Sequence, residues 1–236
     1  MSAPGPRTRH RAPHRSRRGP VLALAAALSV TVLTVLTGCA GGSPDGGAAV
    51  AVNGQSGWRG THIRDGYPLP DQQFTDTSGD PVVPATRAAD GVTLVFFGYT
   101  HCPDICNVVL ANVASALRGS SKPVRDVARM IFVSTDPARD EPAVVREYLD
   151  RFDPRFEGLV APVGTVAEAA EELHISFERP DGSIGGHDGA EHPEGYEVDH
   201  GTYITAFVDG DATVVWSDTT PVADLRADLS RLARLA

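Results

Sequence analysis

Apolar residues in this chain gather in short β-favouring runs, with stretches of helical spacing between them. The run TLVFF at 93–97 is continuous and stops at Gly98, so it predicts a central strand buried on both faces. RMIFV at 129–133 predicts a second strand and LVA at 159–161 a weaker third. Two further runs, 203–208 and 212–216, flank Asp209, Gly210 and Asp211, which predicts a hairpin closed by an Asp-Gly turn. Helical spacing fills the intervals. Residues 103–117 place Ile105, Val108, Val109, Ala116 and Leu117 at helical spacing. Residues 141–152 follow Asp140, the expected N-cap, with Pro142 in the first turn. A helix at 165–173 opens with Thr165 and Glu168 as a capping box, and one at 221–235 carries Leu225, Leu229, Leu232 and Ala233 on one face. Strand, helix, strand, helix, strand, helix, hairpin, helix is the order of an α/β layered domain.

The first forty residues follow a different pattern. Six arginines between Arg7 and Arg18 precede an apolar run at 21–36, and LTGC follows at 36–39. Basic, apolar, then small residues at a cleavage point is the layout of a secretory signal. The apolar run is short for a spanning helix of about 20 residues. The LTGC ending resembles a bacterial lipobox, in which Cys39 becomes the lipidated N-terminus. An uncleaved signal anchor is the other reading. Three segments are expected: a lipoprotein signal at 1–38, a Gly-, Ala- and Ser-rich tether at 39–57, and a folded domain at 58–236. The chain is thus expected outside the cytoplasm, lipid-anchored to the outer face of the cytoplasmic membrane, where disulfides form.

Charge narrows the partners. The net charge of −9 contains all six signal arginines; without residues 1–38 the chain keeps 15 basic against 30 acidic residues. Nucleic-acid binding needs a basic surface to displace phosphate counterions, so it is excluded as an expectation.

With Cys39 committed to lipid, two cysteines remain, in GYTHCPDIC at 98–106. The segment leaves the central strand and enters a helix. Pro103 suits a first helical turn, which makes Cys102 the expected N-cap and puts Cys106 one turn on. Unpaired amides and the positive end of the helix dipole there are expected to favour thiolates. Three residues separate the cysteines, against two in a thioredoxin-type redox site, so the pair can close a disulfide or spread around a metal ion. Soft thiolates select Cu(I), and an imidazole completes such a site. His200 ends the Gly- and acid-rich stretch at 182–195 and stands just before the strand from Tyr203; His187 and His192 within that stretch are its rivals.

These residues resemble a known family. GYTHCPDIC at 98–106, FVSTDPARD at 132–140 and VDH at 198–200 occur in the order found in the SCO/SenC family of copper-binding cytochrome c oxidase assembly proteins. YPLPD at 67–71 and FTDTSG at 74–79 resemble that family's opening hairpin. The resemblance implies a thioredoxin-like fold: a central mixed sheet flanked by helices, with a C-terminal hairpin and helix. It implies copper held by Cys102, Cys106 and His200, with the two cysteines also serving as a redox-active pair. The implied partner is the copper-bearing subunit of cytochrome c oxidase, and the implied role is delivery of copper to its CuA centre by a monomeric metallochaperone. A thiol–disulfide oxidoreductase acting on the partner's cysteines and a redox or copper sensor are the alternatives. Asn107 departs from the family, which commonly has proline there. Asp104 is placed to interact with the helix dipole, and Asp136, Arg139 and Asp140 fall at the sheet edge that carries the cysteines.

Overall fold

The computed structural model of the chain describes residues 57–178 and 199–236. The signal segment, Cys39, nearly all of the tether, His187 and His192 lie outside the described residues.

The strands and helices are β1 (Thr61–His62), β2 (Phe74–Asp76), β3 (Pro81–Val82), α1 (Pro84–Arg87), β4 (Val92–Gly98), α2 (Ile105–Gly119), α3 (Lys122–Val127), β5 (Ala128–Ser134), α4 (Pro142–Asp150), β6 (Glu157–Val160), α5 (Val163–Glu172), β7 (Phe177–Glu178), β8 (Asp199–His200), β9 (Ile204–Val208), β10 (Asp211–Trp216) and α6 (Val222–Leu232). One mixed sheet runs β1-β10-β9-β4-β5-β6-β2-β3, and β7 pairs with β8 separately. β4 lies at its centre, parallel to β5 and antiparallel to β9. Every residue of β4 is buried. A continuous apolar run without alternation is what a strand covered on both faces requires. Phe96, Phe97, Phe132, Phe207 and Trp216 are among the largest side chains in the core on either side of it.

Local chemistry explains the connections. Asp209 and Gly210 both take positive φ, 49° and 90°, which is the turn that joins β9 to β10 in register with the right-handed twist. Three helix starts differ from the sequence expectation. α2 begins at Ile105 with Asp104 as N-cap, not at Cys102 and Pro103. α4 is capped by Glu141 without a side-chain bond, because Asp140 is turned inward. α5 begins at Val163 after Pro162, two residues before the expected capping box. Proline at or just before each of the last two starts supplies the helical φ without a side-chain cap.

The N-terminal edge of the domain is fastened to its C-terminal helix. Asp228 of α6 is 1% exposed, and its carboxylate accepts the amides of Arg59 and Gly60 and the indole Nε1–H of Trp216. The Arg231 guanidinium lies 4.1 Å from the centroid of the Trp58 ring. Among the described residues, no helix is long and apolar enough to cross a membrane.

Candidate metal centre

β4 ends at Gly98, and the loop from Tyr99 to Asp104 carries Cys102 into α2, where Cys106 occupies the first turn. Parallel pairing places Gly98 opposite Ser134, so the segment after β5 lies beside this loop. Brought together at the carboxyl ends of β4 and β5 are therefore the two motifs that sequence separates by two helices, α2 and α3, and the start of β5.

Both cysteines are buried, Cys102 at 5% and Cys106 at 0% exposure. The Cys106 amide donates to the Cys102 sulfur at 3.4 Å, and the Cys102 amide donates to the Tyr99 carbonyl at 3.3 Å. One orphan amide of the helix start thus finds its partner in a sulfur outside the helix. Asp104 caps α2 through a bond from the Ile105 amide. The expectation that both thiols would be driven towards thiolate is corrected for Cys106. Its hydrogen bond to Cys102, together with burial, pushes that thiol far above its ordinary range. Contact with Cys102 and desolvation of the fully buried sulfur outweigh the helix dipole at the first turn of α2.

Gly98 makes that depth accessible. A Cβ at position 98 would stand 3.0 Å from the Cys106 Sγ and 3.0 Å from ring carbons of Phe96 and Phe132. The sulfur occupies the space that the missing side chain leaves.

Two polar networks hold the loop. Asp140, fully buried, accepts from Ser134 Oγ at 2.6 Å, from Thr100 Oγ1 at 2.6 Å and from the Thr100 amide at 3.0 Å. Burial raises the Asp140 carboxyl from its ordinary range, and the Ser134 and Thr100 bonds partly offset that. Asp136, also buried, pairs with Arg139, whose guanidinium lies 5.7 Å from the Tyr99 ring centroid. On the other side, Asn107 Nδ2 donates to the Cys102 carbonyl at 3.4 Å and Asn107 Oδ1 accepts from the Tyr148 hydroxyl at 3.2 Å. Burial and the nearby cysteine sulfurs push the Tyr148 phenol above its usual range. Asn107, where a proline could make neither bond, ties the cysteine loop to α4.

Thr100, Ser134 and Tyr148 went unnoticed in the sequence. Ser134 had a signal: it ends a strand expected beside β4, one position past the apolar run. Tyr148 had none beyond its place in a helix.

His200 lies on β8, whose backbone pairs antiparallel with β7 so that His200 faces Phe177 in register. The adjoining Gly201 amide donates to the Ser176 carbonyl at 2.7 Å. Strand pairing therefore anchors the end of the long loop to the segment that follows α5.

The chain matches the sequence pattern of the SCO1/SenC family over residues 69–234. Its fold is similar to the solution structure of apo Sco1 from Thermus thermophilus, at 29% identity and a TM-score of 0.64, covering 74% of this chain and 96% of that one. It is also similar to the copper-bound ScoI of Bradyrhizobium japonicum, at 30% identity and a TM-score of 0.57, covering 72% of this chain and 99% of that one. Protein sco1 of Schizosaccharomyces pombe is 35% identical over 88 residues, a match covering 37% of this chain and 34% of that protein's length. The matched segment thus spans about a third of that curated relative. The fold is thioredoxin-like, as the motifs implied, and the chain belongs to the SCO1/SenC family.

Proposed function

We propose that this chain is a copper metallochaperone that binds Cu(I) through Cys102, Cys106 and His200 and supplies it to the CuA centre of cytochrome c oxidase. The observation that carries the reading is the buried Cys102–Cys106 pair, joined by the bond from the Cys106 amide to the Cys102 sulfur at 3.4 Å, at the strand-to-helix turn of a SCO1/SenC chain. Two soft donors in a buried site suit Cu(I), and one imidazole would complete a three-coordinate sphere that leaves room for transfer. A copper-bound relative of 30% identity supports the choice of metal. Binding must displace the proton that burial holds on Cys106, so uptake is coupled to proton release.

The test loads the reduced full-length chain with copper and measures bound metal by elemental analysis, for wild type and His200→Ala. About one copper per wild-type chain and a marked loss in the variant are expected for removal of one of three ligands. A wild-type chain that takes up no copper after full reduction overturns the reading. A variant that binds as well as wild type removes His200 and turns the search to His187 and His192.

The same sulfur pair supports a second reading. Two thiols in mutual contact can close a disulfide while a partner's disulfide is reduced to two thiols, with the electron pair and both protons passing to the partner. That activity needs both cysteines and tolerates loss of His200.

Export and anchoring through Cys39 belong to the proposal as well, supported by the LTGC motif and the basic and apolar segments before it. Metabolic labelling with palmitate should mark the wild-type chain and leave Cys39→Ser unlabelled; equal labelling would sink it.

A further inference from the structure

His101 stands beside Cys102 in the loop, and its side chain is 53% exposed while Cys102 is buried. Its Nδ1 lies 3.0 Å from Thr100 Oγ1. The Thr100 hydroxyl has a single proton, and Asp140 Oδ1 accepts it at 2.6 Å. The other Asp140 oxygen accepts from Ser134 Oγ and the Thr100 amide. Ser134 Oγ in turn accepts the Asp136 amide at 3.1 Å, which leaves its proton for Asp140. Both hydroxyl protons and the Thr100 amide therefore go to the carboxylate. Thr100 Oγ1 has only lone pairs left for the histidine, so the His101 proton must sit on Nδ1. The ring's other nitrogen, Nε2, then carries a free lone pair on an exposed ring.

This is the arrangement by which proteins prepare an imidazole for a metal: the remote nitrogen is held by a carboxylate or its relay, which sets the tautomer, orients the ring and raises ligand basicity. Here the relay runs from a fully buried carboxylate through one hydroxyl to a histidine adjacent to a cysteine of the pair. The buried sulfurs have no such exposure, so the imidazole is the donor that stands nearer to solvent.

We propose that His101 is an accessory copper ligand, which takes Cu(I) through Nε2 at the mouth of the site and passes it to and from the Cys102–Cys106 pair, with Thr100 and Asp140 as its positioning residues. The proposal rests on the copper-binding reading above but assigns the path of exchange, not the resting ligands. His101 sets how fast copper enters and leaves, while the cysteines set how much is held.

Three measurements on the full-length chain in detergent test this. Nitrogen NMR of the metal-free, reduced chain should show His101 as the Nδ1–H tautomer, and Thr100→Val should lose that preference; an Nε2–H tautomer in the wild type overturns the proposal. With Cu(I) presented in a coloured chelator, His101→Ala should still take up the wild-type amount of copper, but load and unload roughly tenfold more slowly, the lower end of what loss of such a group costs a metal site. Thr100→Val should slow exchange in the same direction by less. Unchanged exchange rates in His101→Ala overturn the role of His101 and leave the cysteine site standing. A wild-type chain that binds no Cu(I) overturns the copper reading and this inference with it.

Discussion

The amide of Cys106 donates to the sulfur of Cys102 at 3.4 Å, so the first turn of α2 is closed by a side chain that stands outside the helix. Contact with the Cys102 sulfur and burial push the thiol of the deeper one, Cys106, well above its ordinary range.

This asymmetry has a measurable pH signature. The Cys106 thiol is raised well above the 9.0 of an unperturbed thiol, so the native state keeps a proton there that the unfolded chain releases. Stability from this group is complete below about pH 9 and is lost as pH rises beyond it, by at most about 1.4 kcal/mol per pH unit. Urea unfolding of the reduced chain should show this decline, and Cys106→Ser should flatten it over the interval before the tyrosines titrate. At neutral pH, alkylation should modify Cys102 before Cys106; the reverse order would contradict the burial and hydrogen bonding seen here.

Gly98→Ala tests the space beneath Cys106. The added methyl meets the sulfur and two aromatic rings at 3.0 Å, with buried strand backbone on either side. Overpacking of this kind costs about 1–3 kcal/mol. The variant should unfold at lower urea and bind Cu(I) more weakly, because the sulfur itself is displaced. Gly164→Ala, with nothing within 4 Å of the new methyl and a helical position in α5, serves as the control and should be neutral or slightly stabilising.

Asp228→Ala tests the fastening of the domain's N-terminal edge. Removing the carboxylate strands the amides of Arg59 and Gly60 and the Trp216 indole. Several stranded donors should cost about 3 kcal/mol or more. Hydrogen exchange at Arg59 and Gly60 should accelerate and Trp216 fluorescence should shift, while the reactivity of Cys102, which precedes the N-terminal end of α2, stays as in wild type. An unchanged unfolding midpoint would show that water replaces the carboxylate at no cost.

Much of this architecture was legible in the chain. The unbroken apolar run of β4 and the Asp-Gly turn between β9 and β10 are local signals, and both strands and turn stand where they were expected. The SCO/SenC motifs, read in order, implied the family and its thioredoxin-like fold. Helix starts were less legible, because a polar residue before an apolar run reads as a cap whether it faces its own helix or not. Asp140 is the plain case: it looked like the cap of α4, but parallel pairing of β4 with β5 brings Thr100 and Ser134 to it, and it turns inward to accept three bonds.

The sequence by itself determined the central strands of the sheet and its C-terminal hairpin, the reducible pair at the end of β4, and the kind of metal such a pair prefers, since these depend on residue type and short spacing. Only the tertiary structure decided the state of that pair. The depth of Cys106 against Gly98, the bond from its amide to Cys102, the tie from Asn107 to Tyr148 and the chain from Asp140 through Thr100 to His101 all join residues that different elements carry. Desolvation and hydrogen bonding act over a few ångströms in space, and distance along the chain says nothing about which groups share that space.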